Sequence, residues 1–243
     1  MDEAITGPVQ PRTVDAGRGI SWWSEAWALF MKNPGVWIVL ALIMIVIFIA
    51  LSFIPFLGGL VSSLLFPAFA AGWLLAARKV DGGGTLAVGD LFSGFKDKLT
   101  ALLVLGAIVL AAGLVITLVA GALGFGAVMG MFMGGARQSA GGMMAALSAG
   151  MLAVLVALAL GTLVAMAVWF APALVVFRDI APVDALKASF DACLKNIMPF
   201  LLYGIAYIIA AIIASIPLGL GWIVLAPALM LTAYTSYKDV FGS

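Results

Sequence analysis

Apolar residues in this chain come in long uninterrupted blocks, and the polar positions between them repeat at helical spacing. Four stretches contain no Asp, Glu, Lys or Arg: 33–77, 99–136, 138–177 and 196–237, which are 45, 38, 40 and 42 residues long. A hydrocarbon core about 30 Å thick takes ~20 helical residues to cross. The first and last stretches are therefore long enough for two crossings each, and each has a break near its middle. In the first the break is Pro55-Phe56-Leu57-Gly58-Gly59, and in the last Pro217-Leu218-Gly219-Leu220-Gly221. Proline followed by glycine ends a helix cheaply, so both read as helical hairpins. The middle stretches, separated only by Arg137, read as one span each, joined by a Gly- and Met-rich loop from about Gly126 to Ala145. The pattern predicts six spans, near 36–54, 60–77, 100–125, 147–177, 198–216 and 220–236.

Three shorter segments carry apolar residues at i, i+3, i+4 and i+7, with charges on the opposite face. They are Trp22–Asn33, with Trp23, Trp27 and Phe30; about Val88–Lys98, with Leu91, Phe92 and Phe95; and about Asp184–Asn196, with Leu186, Phe190 and Cys193. Such helices can lie in the headgroup plane. This predicts that Trp22, Trp23, Trp27, Phe30, Phe92, Phe95 and Phe190 contact lipid. Trp37, Trp73, Trp169 and Trp222 fall near span ends, where indoles favour the interface. The chain then reads as three copies of one unit: amphipathic helix, span, turn, span. Pro67-Ala68, Pro172-Ala173 and Pro227-Ala228 recur in the second span of each copy. Each is followed by a base near an acid: Arg78 with Asp81, Arg178-Asp179 and Lys238-Asp239. The prolines Pro67, Pro172 and Pro227 are candidate kinks, either lining a cavity or serving as inherited packing devices.

Composition agrees with lipid as the main solvent: 65% of residues are hydrophobic and 9% charged, against about 25% charged in soluble domains. The fold class is all-α, a polytopic transmembrane helical bundle. Residues 1–20 are polar, lack an apolar signal-peptide core, and are predicted to be a disordered cytoplasmic segment ahead of a single transmembrane domain, 21–243. With six spans, one side holds eleven bases, from Arg12 to Lys238, and the other only Arg137. The positive-inside bias predicts a multi-pass protein of the bacterial inner membrane with both termini cytoplasmic.

The chemistry is sparse. Net charge is +1, with no histidine and one cysteine. Neither a nucleic-acid partner nor an intrachain disulfide follows from that. No acid or base falls inside a predicted span, which argues against a proton-coupled pump. No phosphate loop, dinucleotide fingerprint, zinc-protease motif or serine elbow is present, so no catalytic residue, cofactor or metal is predicted. The in-span hydroxyls, such as Thr117, Thr162 and Ser215, read as helix-packing groups. Tyr203 and Tyr207, four apart on one face, are the best candidates for a polar contact within the bundle. Met129, Met131 and Met133 alternate, with Met143 and Met144 nearby. Thioethers can select Cu(I), though methionine is also a flexible apolar filler.

Several motifs together resemble a family of uncharacterised proteobacterial inner-membrane proteins of about this length. They are Ala16-Gly17-Arg18-Gly19 ahead of Trp22-Trp23, Asn33-Pro34-Gly35-Val36-Trp37, Ile54-Pro55, Trp169-Phe170-Ala171-Pro172-Ala173-Leu174, Lys187-Ala188-Ser189-Phe190 and Ser236-Tyr237-Lys238-Asp239. More loosely, the repeated unit is similar to the membrane domain found beside glycerophosphodiester phosphodiesterases, whose soluble catalytic half has no counterpart here. The resemblance implies the architecture and a bacterial inner membrane, but no mechanism. The leading expectation is a non-enzymatic envelope scaffold or accessory protein, partnered by the bilayer's lipids or by other membrane proteins. The alternative is a transporter or channel for a small or apolar solute.

Overall fold

The structure, a computed structural model, describes residues 10–133 and 140–242. Among them the chain forms nine α-helices and one 3₁₀ segment: α1 (Arg18–Lys32), α2 (Pro34–Ser52), α3 (Leu57–Asp81), the 3₁₀ segment Val88–Phe95, α4 (Leu99–Met133), α5 (Ala140–Trp169), α6 (Ala171–Arg178), α7 (Pro182–Lys195), α8 (Ile197–Ser215) and α9 (Trp222–Phe241). The all-α bundle and the thrice-repeated order of a short element followed by a helical hairpin are both present. The chain divides into two compact units. One holds residues up to Gly106 and from Ala167, and the other is Ala107–Met166.

Short signals in the chain set the helix boundaries. Asn33 ends α1 and Asn196 ends α7, and each directly precedes the next helix. Pro34 supplies a first-turn residue that needs no N–H donor. Pro172 does the same for α6, so the expected fourth span breaks at Phe170 into α5 and α6. Pro67 and Pro227 stay inside α3 and α9, and both are buried. The expected loop over 126–145 is mostly helical, since α4 runs to Met133 and α5 starts at Ala140. Arg137 lies outside the described residues.

In the smaller unit, Thr117 and Thr162 donate to the carbonyls of Gly113 and Leu158 four residues back. Their hydroxyls are thus satisfied within their own helices, as expected of packing residues. Large apolar side chains on α4 and α5, including Leu118, Leu147, Met151 and Leu158, are exposed. α2 and α8 in the larger unit likewise expose Val46, Ile49, Ile212 and Ile213. Such apolar surface suits hydrocarbon and not water.

Among the described residues, five helical segments are long and apolar enough to cross a membrane: Pro34–Ser52, Leu57–Asp81, Leu99–Phe125, Leu147–Arg178 and Ile197–Ser215. The sixth expected span, α9, is 20 residues long but falls short in hydropathy. Its second half is rich in hydroxyls, and the larger unit is built around it. Pro227, Ala228, Leu231, Thr232, Tyr234, Thr235, Ser236, Tyr237, Val240 and Phe241 are all buried. Those hydroxyls bond to protein: Thr232 with the Tyr203 hydroxyl at 3.0 Å, Thr235 to the Trp22 carbonyl at 3.0 Å, and Ser236 with the Trp169 indole at 3.1 Å. Polar groups kept from lipid in this way let a helix be far less apolar than its neighbours.

The amphipathic segments also differ from expectation. Trp22 is fully buried, with its ring centroid 5.2 Å from that of Phe200. Phe30 is buried as well. Much of the apolar face of α1 therefore packs on protein, while Trp27 of that face is exposed, as are Ile20 and Met31. Of the other predicted lipid contacts, Phe92 is exposed, whereas Trp23, Phe95 and Phe190 are half-buried. Trp37 and Trp73 do not sit at an interface with lipid. Both are wholly buried, with ring centroids 5.3 Å apart. The second amphipathic segment is 3₁₀ and not α-helical. Its eight residues include Gly89 and Gly94, which disfavour an α-helix. The segment is held close against α3 instead.

Candidate functional site

The polar residues of the larger unit are linked in a network that ties the two ends of the described chain together. Asp239 of α9 accepts from Arg18 Nε at 2.6 Å and from Trp22 Nε1 at 2.8 Å. The bond to Asp239 favours the charged guanidinium and raises the pKa of Arg18 above its ordinary value. Asp81, at the end of α3, accepts from Lys238 at 2.7 Å and from the Tyr234 hydroxyl at 3.0 Å. Lys79 pairs with Asp90 of the 3₁₀ segment at 2.9 Å, and Lys98 pairs with Asp179. Of the base-near-acid motifs after the three prolines, the first and third are joined directly, by the Asp81–Lys238 pair. Two of the three acids pair across repeats, Asp81 with Lys238 and Asp239 with Arg18.

The N-terminal segment joins this network. Residues 1–20 are expected to be disordered, yet 10–17 run against the bundle and α1 starts at Arg18. The Arg12 amide donates to the Val240 carbonyl at 2.8 Å. Fully buried Asn196 clamps the segment from the other side. Its side-chain oxygen accepts from the Val14 amide, and its side-chain nitrogen donates to the Arg12 carbonyl, both at 2.9 Å. The clamp brings Arg12 to a cavity of about 520 Å³ lined by Arg12, Arg78, Phe177, Arg178, Tyr234, Tyr237, Phe241 and Gly242. Among the described residues, three guanidiniums and no carboxylate line it.

Each arginine is held differently. Arg178 donates from Nη2 to the carbonyls of Phe241 (2.9 Å) and Gly242 (2.6 Å), and from Nε to the Tyr237 hydroxyl at 3.3 Å. It therefore caps the C-terminal end of α9, where carbonyls lack helical partners. Arg78 stacks over the Phe177 ring with its Cζ 4.4 Å from the centroid, a cation–π contact. No hydrogen bond or ion pair engages its guanidinium among the described residues. The Arg12 guanidinium lies against Gly242, whose φ of 69° is one that glycine adopts at little cost.

A probable inner membrane protein of Burkholderia thailandensis is 30% identical to this chain over an alignment that covers 94% of the chain and 93% of that protein. The chain belongs to that inner-membrane family. No family model matches the sequence, and no solved structure matches it significantly.

In this inner-membrane protein the sequence-predicted polar pair is partly brought together. Tyr203 is buried, bonded to Thr232, and stacked on Trp23 at 5.2 Å. Tyr207 lies further along the same face, 6.5 Å from Trp23. Both serve packing between α1, α8 and α9. None of Pro67, Pro172 and Pro227 lines the arginine cavity. Met129, Met143 and Met144 are exposed, while the side chains of Met131 and Met133 lie outside the described residues. Asp184 and Asp191 form exposed pairs with Lys187 and Lys195 on their own helix.

The sequence alone does not mark the cavity's residues as a site. In the sequence Arg78 and Arg178 mark the repeat and the charge bias, and Arg12 lies within a segment predicted to be disordered. Spacing places Tyr234 and Tyr237 on one helix face, but nothing in the sequence aims Arg12 at them.

Cys193 is buried on α7, and burial pushes its thiol up to about 12. Only the thiolate reacts readily. The expected outcome is that a maleimide leaves the folded, detergent-solubilised protein unlabelled at neutral pH and labels it once on thermal unfolding. Rapid labelling at room temperature would show that α7 does not pack as described.

Proposed function

We propose that this inner-membrane protein is a non-enzymatic accessory protein of the envelope whose basic end faces the cytoplasm and engages anionic lipid headgroups. The observation that carries this reading is the cavity formed where Arg12, Arg78 and Arg178 meet. Bases close to a membrane surface attract anionic lipid, and arginine is suited to bidentate contact with phosphate. The exposed aromatic and apolar residues Trp27, Met31 and Phe92 lie on the short elements that carry or flank the polar network, as suits a headgroup-level surface. Buried packing around Pro67 and Pro227 speaks for the accessory role over a solute path among the prolines.

The hydrogen bond between Arg12 and Val240 supports an even number of crossings, with α9 as the sixth despite its hydroxyls. Five crossings would put those two residues on opposite faces of the bilayer. The excess of lysine and arginine on this side supports a cytoplasmic location. Topology reporters fused after Ser243 and ahead of Arg12 are expected to report the cytoplasm, and one inserted at Arg137 the opposite side. Reporters at the two ends giving opposite locations would overturn the orientation. Mass spectrometry of protein released from native membrane is expected to find retained anionic lipid. Release of a bare polypeptide would count against the headgroup role.

A further inference from the structure

We propose that the cavity between Arg78, Arg178 and Arg12 binds a phosphate dianion, either inorganic phosphate or the terminal phosphate of a phosphomonoester lipid. The lipid source rests on the headgroup reading above, whereas the phosphate chemistry does not.

Three observations converge. First, the charge at the site is one-sided among the described residues. Asp81 and Asp239, the acids of the nearby network, are occupied by Lys238, Tyr234, Arg18 and Trp22. Neither lines the cavity. Three cations lined up with no described carboxylate between them attract an anion. Second, the guanidiniums are pre-positioned. Arg178 is fixed by two carbonyls and a tyrosine hydroxyl, and Arg78 by the Phe177 ring. Arg78 retains its hydrogen-bond donors, which in arginine form a planar fork matched to phosphate oxygens. Fixing a binding group in advance lowers the entropy cost of association. Third, the cavity is larger than a phosphate needs. At about 520 Å³ it falls in the size range of small-molecule sites. Its aromatic wall of Phe177, Tyr234, Tyr237 and Phe241 could receive the glycerol portion of a lipid.

The asymmetry among the arginines gives the test. Arg178 also closes the end of α9, so its loss would confuse binding with folding. Arg78 and Arg12 are exposed, and neither side chain closes a helix end. The variants are therefore R78Q and R12Q, with K187Q on α7 as a charge-matched control away from the cavity. Purified detergent-solubilised protein is titrated calorimetrically with inorganic phosphate, with short-chain phosphatidic acid, and with short-chain phosphatidylcholine as the neutral-headgroup control. Thermal midpoints confirm that each variant folds.

Loss of one charge-assisted contact is expected to weaken binding on the order of tenfold to a hundredfold in R78Q. R12Q is expected to weaken it less, and K187Q to leave it unchanged. Phosphate and phosphatidic acid both binding, or phosphate alone, would support the site with free phosphate as a source. Phosphatidic acid binding alone would support it with the lipid as the source. Binding of neither, binding of phosphatidylcholine equal to that of phosphatidic acid, or affinity unchanged in R78Q would overturn it. The same variants examined by mass spectrometry from native membrane separate the two proposals. Anionic lipid retained equally by wild type and R78Q, with neither phosphate nor phosphatidic acid bound in the titrations, sinks the cavity and leaves the headgroup role standing. Phosphate binding lost in R78Q, with no lipid retained by wild type, does the reverse.

Discussion

Replacing Trp22 by alanine is expected to cost about 3–5 kcal/mol, the range for deleting a large buried aromatic. Trp22 has no exposed surface and lies where α1, α8 and α9 meet. Its ring packs near Phe200 and Tyr203, at centroid distances of 5.2 and 6.3 Å. Its carbonyl accepts from Thr235, and its indole nitrogen donates to Asp239. Alanine would leave a cavity and take one of two donors from a part-buried carboxylate. Phe is the informative comparison, since W22F keeps most of the volume and loses only the N–H. It is expected to cost on the order of 1–2 kcal/mol. The buried cysteine supplies the assay. Labelling of Cys193 during heating reports the opening of this unit, and its midpoint is expected to fall by roughly 10 °C in W22A. An unchanged midpoint would mean that Trp22 is not the packing centre and that the face of α1 is turned to lipid after all.

The second large effect is expected at Gly94. A Cβ built there would sit 2.0 Å from the Ala68 carbonyl oxygen and 2.9 Å from the Gly72 amide nitrogen. Gly72 faces the same contact from α3, where a Cβ would lie 2.0 Å from the Leu91 carbonyl oxygen. Two backbones touch here with no side chain that could swing aside. Substitution must therefore move the 3₁₀ segment off α3. G94V is expected to cost at least the ~1–3 kcal/mol typical of overpacking. It should also loosen the Lys79–Asp90 pair. The measurable sign is faster tryptic cleavage after Lys96 or Lys98, beside the segment, together with a lower Cys193 labelling midpoint. G89A provides the contrast, because a Cβ at Gly89 meets nothing within 4 Å. Equal effects at the two positions would contradict the described contact.

Both predictions concern residues whose roles differ from what their periodicity alone implies. The spacing of Trp22, Trp23, Trp27 and Phe30 marked an amphipathic helix correctly, but periodicity does not say what covers the apolar face. Lipid and protein are both apolar partners, and the choice depends on whether another helix comes within reach. For α1 it does, and for much of α2 and α8 it does not. The same ambiguity explains Trp37 and Trp73. An indole near a span end satisfies an interfacial pattern equally well when it is buried against another indole. In α9 hydropathy undervalues the helix, because its Thr, Ser and Tyr hydroxyls are paired with partners on α1, α3, α5, α6 and α8 that lie far away in sequence.

By itself the sequence determined that the chain is all-helical, that lipid solvates most of it, that breaks fall near Pro55 and Pro217, and that a short element plus a hairpin recurs three times. These follow from local chemistry: uncharged runs, helical spacing, and prolines and glycines that cannot continue a helix. Only the tertiary structure decided which apolar faces meet protein, that residues 10–17 dock under the clamp of Asn196, and that Arg12, Arg78 and Arg178 share one cavity. Those three arginines come from distant parts of the chain, and no local pattern records their meeting. Their grouping depends on three helix ends and one extended strap reaching the same place, a consequence of packing that exists only once the chain has folded.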